Sequence, residues 1–228
     1  MVSLLAIDTT EDACSAALLL GDAIEERFEI APRRHSELIL PMMDGLLVDA
    51  GLRLGDLDAL AFGRGPGAFT GLRIAAAVVQ GAGFGADLPV VPVSSLQALA
   101  QGARRSKGAD RVLSALDARM NEVYWGAFAA DADGIMRTVL EETVCAPEAV
   151  PVPAAAAAWH AAGSGWAAYS DVLTARCGTP VVTDAAALVH AQDVAVLAAR
   201  LFREGAAVPA EQALPVYLRN QVAWARPA

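Results

Sequence analysis

The hydrophobic and polar positions of the first hundred residues follow two periods, one typical of strands and one typical of helices. Compact apolar runs, and one run in which Ile24, Phe28 and Ile30 alternate with charged residues, indicate strands. Apolar residues three and four positions apart indicate helices, the first with Ser36 as a candidate N-cap. The predicted elements are strands over 2–7, 14–20 and 23–30, a helix between 36 and 51, a strand over 57–62, a helix over about 70–83 and a strand over 89–93.

This order of elements is found in ribonuclease-H-like domains, from which the actin, Hsp70 and sugar-kinase fold is built. The pattern begins again after residue 110, with strands predicted over 111–116, 122–129 and 135–144. Laying the two halves over each other places Asp8 on Asp117. We therefore predict an α/β protein of two tandem ribonuclease-H-like, actin-like ATPase domains, residues 1–100 and 101–228, with the C-terminal segment packed back on the first.

The rest of the second half has weaker patterns. The mixture of proline and alanine over 146–158 indicates a loop, and Gly163-Ser164-Gly165 indicates a turn after a short strand. An amphipathic helix is predicted over 191–202, and the apolar content of 214–219 predicts an ordered end.

The charge of the chain argues against direct nucleic-acid binding. There are 17 basic residues, of which Lys107 is the one lysine, against 26 acidic residues, and the formal net charge is −9. Phosphate contacts need clustered cations, so RNA would have to be held by other subunits. The start lacks the basic region of a signal peptide, and the apolar stretch 74–93 is too interrupted to span a membrane. Three separated cysteines without a CxxC pair indicate free thiols in a reducing cytoplasm.

The stretch GRGPGAFTGLR, residues 63–73, resembles loops that hold phosphate, but it matches neither common fingerprint. Leu72 and Arg73 stand where a Walker loop needs lysine and a hydroxyl residue, and the glycine spacing is not GxGxxG. Two interpretations remain open. The glycines form a tight strand-to-helix turn, or Gly65, Gly67 and Thr70 contact a phosphate or a partner's nucleotide.

Asp8, Thr9 and Thr10 follow the first predicted strand, where this architecture places groups that hold metal and phosphate. The alternative is that Asp8 and Thr10 cap a turn by Asx-type hydrogen bonds, and Asp117 has the same two interpretations. His35, His160 and His190 form no HxxxH or HExxH pair, and no GxSxG occurs. From these patterns we predict no catalytic residue and no metal site.

Six segments together resemble one family. They are LLAIDTTEDACSAALL, RRHSELILP, GRGPGAFTGLRIA, VSSLQALA, LDARMNEVYWGAF and PVYLR. These motifs are similar to those of the tRNA threonylcarbamoyladenosine biosynthesis proteins TsaB, the YeaZ family, and the likeness runs from residue 2 to about 219. Ala68 departs from the serine common in the family's loop, and residues 146–165 match poorly.

The resemblance implies a cytoplasmic, non-catalytic subunit with two actin-like domains. Its implied partners are a TsaD-like catalytic subunit and a TsaE-like ATPase, which act on the adenosine next to the anticodon of tRNA. It implies no cofactor on this chain, ATP and metal on the partner subunits, tRNA contact through the complex, and a homodimer when the chain is alone. The paired histidines of the TsaD metal site are reduced here to His35, with Ile39 four residues later.

The resemblance also implies that the two helices of the first domain pack against their counterparts in the partner. Gly71, Ala75, Val79 and Gly83 recur every four positions, and packing inside the domain is the alternative for this stripe. The implied interface residues are His35, Leu38, Met42, Leu46, Gly71, Ile74, Ala75, Val78 and Val79. Two other functions stay open for the chain, an actin-fold phosphotransferase and a glycoprotease-like metalloenzyme.

Overall fold

The computed structural model describes residues 1–154 and 158–219, which form two five-stranded sheets with helices on their faces. The strands are β1 (Ser3–Asp8), β2 (Ala13–Leu20), β3 (Ala23–Ile30), β4 (Ala59–Gly65), β5 (Val90–Ser94), β6 (Arg111–Asp117), β7 (Val123–Ala130), β8 (Met136–Cys145), β9 (His160–Ala162) and β10 (Val182–Asp184). The helices are α1 (His35–Ala50), α2 (Phe69–Ala86), α3 (Ser95–Lys107), α4 (Ser164–Cys177) and α5 (Ala191–Arg203). Among the described residues, no helix has the length and apolar character needed to cross a lipid bilayer.

The two sheets have the same topology. The first has the order β3-β2-β1-β4-β5, and the second has the equivalent order β8-β7-β6-β9-β10. In each sheet the first three strands of this order pair antiparallel with one another. The third, fourth and fifth strands pair parallel. The prediction of two tandem actin-like domains in an α/β fold is therefore confirmed. The division at residue 100 stays a prediction.

The strand β1 is apolar from Leu4 to Ile7 because helices cover both faces of its sheet. Leu5 and Ile7 point into a core shared with α1 and α2, whereas Leu4 and Ala6 point into a core shared with α3 and α5. Alternate residues of a strand face opposite sides, so a strand buried on both sides has no polar face. The core around α3 and α5 also contains Val112 and other residues of the second sheet. It joins the two domains.

The structure corrects three predictions about local elements. The N-cap of α1 is Arg34 and not Ser36. The predicted turn at 163–165 is the start of α4, with Gly163 as the N-cap. Residues 95–107 form α3, which the sequence pattern did not indicate; its N-cap is Ser94, whose hydroxyl accepts a hydrogen bond from the Gln97 amide. Of the predicted loop 146–158, residues 155–157 lie outside the described residues.

Candidate functional site

The first turn, residues 8–12, joins β1 to β2, and the chain itself satisfies its hydrogen-bonding groups. Asp8, Thr9 and Thr10 are at most 1% exposed. The Thr10 amide and hydroxyl each donate to Asp8 Oδ1 at 2.9 Å. The Thr9 hydroxyl donates to the Gly71 carbonyl at 2.7 Å. The turn-capping interpretation of Asp8 and Thr10 therefore describes the contacts in this structure.

The glycine loop packs directly on this turn. A Cβ atom added to Gly63 would lie 1.9 Å from Asp8 Oδ2, and one added to Gly71 would lie 1.8 Å from the Thr9 carbonyl oxygen. A Cβ on Gly67 would lie 2.5 Å from the carbonyl oxygen of Thr10, which accepts a hydrogen bond from the Ala68 amide at 2.7 Å. Glycine is required at these positions because Gly67 and Gly71 lie against the backbone of the first turn and Gly63 lies against the Asp8 carboxyl group. These contacts explain the glycines as a close packing of the loop on the first turn.

Burial controls the charge of the first turn. Desolvation raises the pKa of Asp8 from 3.8 to about 6, although hydrogen bonds from Thr10 oppose the rise. Desolvation likewise raises the pKa of the neighbouring Glu11 to about 8, and a hydrogen bond from the Val189 amide opposes this. Burial therefore makes both carboxyl groups harder to ionise than in water.

The residues predicted to contact phosphate lie close together, but they differ in their exposure to solvent. Asp8, Thr9, Thr10 and Gly65 are buried, Gly67 is half-buried, and Thr70 is exposed at the start of α2. Gly65 has a φ of 105°, and a Cβ atom added to it would lie 2.9 Å from the Val216 carbonyl oxygen. A contact between these residues and a partner's nucleotide stays a prediction.

Two of the three histidines make polar contacts within the chain, whereas the buried His160 Nδ1 has no hydrogen-bond partner among the described residues. His35 is 8% exposed, and its Nε2 lies 2.9 Å from the Glu11 carbonyl oxygen. The His190 ring stacks on Phe28, and its Nδ1 lies 2.9 Å from Glu26 Oε2. In the part of the chain that the structure describes, no three His, Cys, Asp or Glu side chains are grouped as metal ligands.

An inter-domain cleft separates the first turn from the second turn, residues 117–122, which joins β6 to β7. The cleft has a volume of about 640 Å³ and is lined from both domains, by Thr10, Phe69, Leu116, Tyr124, Ser164 and Arg219 among others. Arg119, Met120 and Asn121 in the second turn all have left-handed backbone, with φ between 56° and 60°. Sequence reasoning missed Arg119 and Arg219 as cleft residues, although both lie in segments quoted above as family-like.

The helix interface stays a prediction, but several of its residues are buried inside the chain. Leu46, Ala75 and Val79 have no exposed surface and belong to the core around α1 and α2, and Gly71 packs on the first turn. A Cβ on Gly83 would lie 3.0 Å from the Leu88 carbonyl oxygen, so the small-residue stripe brings α2 close to its own domain. His35 and Met42 are at most 9% exposed, whereas Leu38, Ile74 and Val78 are half-buried at the edge of the core.

A different set of residues forms the outer face of α1 and α2. Both helices cover the same side of the first sheet and contact each other. Leu40 and Val48 on α1 and Phe69, Ala77 and Phe84 on α2 are among their exposed apolar residues, and Phe84 has 84% of its surface exposed. Leu40 and Val48 are eight residues apart on α1, and Ala77 and Phe84 are seven residues apart on α2. Residues at such spacings lie on the same side of a helix, so this pattern could have predicted the exposed apolar face from the sequence.

Two tandem sheets of the same order, with a cleft between their first hairpins, define a protein of the actin-like ATPase fold. Comparisons with known proteins place the chain more closely. A family model described as "TsaD: tRNA N6-adenosine threonylcarbamoyltransferase" matches residues 28–226. The tRNA threonylcarbamoyladenosine biosynthesis protein TsaB of Escherichia coli is 44% identical over 97% of this chain and 96% of its own length. That of Haemophilus influenzae is 40% identical, over 98% and 96%.

A solved structure agrees with these relatives. YeaZ from Pseudomonas aeruginosa superimposes with a TM-score of 0.90 and is 49% identical, covering 96% of this chain and all of that one. The chain belongs to the TsaB family, whose named members are tRNA threonylcarbamoyladenosine biosynthesis proteins.

Proposed function

We propose that this chain is a non-catalytic subunit of the complex that forms N6-threonylcarbamoyladenosine next to the anticodon of tRNA. It binds and supports a TsaD-like catalytic subunit together with a TsaE-like ATPase in the cytoplasm. The observation that carries the proposal is the filled glycine loop, in which Gly63, Gly67 and Gly71 lie against the first turn. Close packing explains these glycines without a phosphate bound to the loop.

The outer face of α1 and α2 is the surface proposed for the TsaD-like partner. Leu40, Val48 and Phe84 expose apolar side chains there, with fractional exposures of 56%, 67% and 84%. A neighbouring set of exposed apolar residues on one face is typical of an interaction site. When the partner is absent, a second copy of this chain would cover the same face.

ATP, metal and tRNA are assigned to the other subunits. A net charge of −9 repels an RNA backbone over roughly a Debye length, about 8 Å at physiological salt. We therefore expect weak binding of tRNA by the isolated chain. Submicromolar binding in a mobility-shift titration at that salt would contradict this assignment.

Reconstitution tests the proposed role. The TsaD-like and TsaE-like proteins, tRNA and threonylcarbamoyl-adenylate are incubated with and without this chain, and modified adenosine is quantified. We expect no transfer by this chain alone and transfer by the partners only when it is added. Full transfer by the partners without it would refute the proposal.

Substitutions separate the outer face from the core. Leu40→Arg and Val48→Arg should abolish co-sedimentation with the TsaD-like partner while the thermal midpoint stays close to that of the original chain, because both side chains are exposed. Val181→Arg, at a valine of similar exposure on another surface, is the matched control. Ala75→Arg should instead unfold the chain, because Ala75 has no exposed surface. Retained association of both outer-face variants would refute the interface.

The cleft supports one alternative, a phosphotransferase of the actin fold. Its volume of about 640 Å³ is in the range of small-molecule sites. Equilibrium binding of ATP to the isolated chain distinguishes the two functions. Micromolar affinity would favour the alternative.

A further inference from the structure

Residues 208–219 form an extended segment, called here the strap, that follows α2 from one end to the other. Val208 and Val90 exchange two backbone hydrogen bonds, at 2.8 and 2.9 Å. Further along, the Ala213 carbonyl accepts from the Gln80 side chain at 3.2 Å. The Val216 amide donates to the Arg64 carbonyl at 2.8 Å. The strap is thus attached to the first domain at three separate points.

An aromatic cluster holds the strap where it reaches the start of α2. The rings of Tyr217 and Phe69 lie 5.6 Å apart and tilted, and the Arg73 guanidinium lies 3.8 Å from the Phe69 ring centre. Phe69 lines the inter-domain cleft, so this cluster stands at the edge of the cleft.

The strap then crosses to the second domain through Arg219. The guanidinium donates to the Ala118 carbonyl at 3.1 Å and to the Arg119 carbonyl at 3.5 Å, and it forms an ion pair with Glu122. All three acceptors belong to the second turn. One planar guanidinium has the fork of donors needed to engage several acceptors at once.

The second turn needs such support. Left-handed backbone is costly for residues with a Cβ, and Arg119, Met120 and Asn121 adopt it in succession. Two of these residues, Arg119 and Met120, are also strongly exposed, so core packing does not hold the turn in place. The hydrogen bonds from Arg219 tie its carbonyls to a segment anchored on the other domain.

We propose that the strap is a gate over the inter-domain cleft and that Arg219 is its latch. When the Arg219 contacts are made, the second turn is held against the first domain and the cleft is narrow at its edge. When they are released, the second turn relaxes and the cleft opens, while the shared core around α3 and α5 keeps the two domains joined. Arg219 is a positioning residue in this scheme. The gate does not depend on the proposed role in tRNA modification.

Hydrogen exchange and thiol labelling test the latch in the full chain. Arg219→Ala should accelerate amide exchange in residues 118–122 by about tenfold or more, because hydrogen bonds to a charged group are lost. Ser164→Cys places a thiol in the cleft but removes the hydroxyl that accepts from the Asp117 amide at 3.2 Å, so the comparison is made within this background. Labelling of the thiol by a bulky maleimide should accelerate similarly when Arg219→Ala is added there. Arg219→Lys, which keeps the charge but not the fork, should give intermediate rates.

Controls separate the latch from general destabilisation. Arg203→Ala, at an exposed arginine ending α5, should leave both rates unchanged. Glu122→Gln removes the ion pair but leaves the two carbonyl hydrogen bonds of Arg219, so it should give a smaller acceleration in the same direction, which keeps the test usable if Arg219→Ala does not fold. Unchanged rates in residues 118–122 and at the Ser164→Cys thiol overturn the proposal. A uniform acceleration over the whole chain also overturns it.

Discussion

The first and second turns occupy the same position in the two copies of the fold, yet one is closed and the other open. Asp8 ends β1 with 1% of its surface exposed, and its carboxylate bonds only locally, to Thr10, among the described residues. Asp117 ends β6 with its side chain 19% exposed, and it accepts from the amide and guanidinium of Arg119. Equivalent topology therefore does not give equivalent chemistry.

The difference lies in where the glycines of each copy make contact. In the first copy, Gly63 and Gly71 touch Asp8 and Thr9, on the turn itself. In the second copy, Gly163 and Gly165 touch Ala115, two residues before Asp117. Close backbone packing thus covers the first turn and stops short of the second. The two turns differ in burial because the glycines contact the first turn itself but contact the strand before the second turn.

The largest expected effect comes from adding a methyl group inside the first contact. Gly71→Ala should lower the free energy of unfolding by about 3 kcal/mol or more, because the Cβ would overlap the Thr9 carbonyl. Gly81→Ala, in the same helix with no atom within 4 Å of its Cβ, is the matched control and should stabilise by about 0.5–1 kcal/mol. Urea unfolding measures both. Equal stability of the two variants would contradict the close contact.

A smaller effect is expected from the Asp8 carboxyl as pH changes. Its folded-state pKa of about 6 exceeds the ordinary 3.8, so the folded state binds more protons and stability falls as pH rises from about 4 to 6. The full cost, up to about 3 kcal/mol, is present above pH 6. Asp8→Asn should reduce the fall in unfolding free energy over this window, and the fall that remains belongs to Glu11, whose raised pKa acts in the same direction.

The equivalent substitution at the open turn is the control for that experiment. Asp117→Asn removes a partly exposed pair with Arg119 and should cost less than about 1 kcal/mol in the same urea titrations. If Asp8→Asn keeps the original slope between pH 4 and 6, the buried carboxyl is not the source of the pH dependence.

The smallest effect is expected at the second turn. Met120→Gly should raise the free energy of unfolding by about 0.5 kcal/mol, because glycine adopts a φ of 56° without strain but adds freedom to the unfolded chain. Met120→Ala keeps a Cβ and should show no gain, and thermal melting compares the two. A loss of stability in Met120→Gly would mean that the exposed Met120 side chain makes a stabilising contact.

Local patterns predicted the elements whose apolar spacing is strong. The predicted helix at 191–202 is observed as Ala191–Arg203, and the alternating strand Ala23–Ile30 is observed over the same residues. The helix α4 was missed because its apolar residues follow no clear stripe and its backbone is kinked at Tyr169. Of the two interpretations of the small-residue stripe on α2, packing inside the domain describes the contacts of Gly71 and Gly83, which lie against the first turn and against Leu88 and Val90.

The order of strands and helices over residues 2–93, the repeat that pairs Asp8 with Asp117, and the acidic charge were all readable from the residues alone, because each depends on local spacing or composition. The state of the candidate site depended on contacts between distant segments. Glycines at 63, 67 and 71 serve equally well to admit a phosphate or a neighbouring backbone, and only folding brings residues 8–10 into that space. The role of Arg219 has the same origin, since its partners lie about a hundred residues away in the chain.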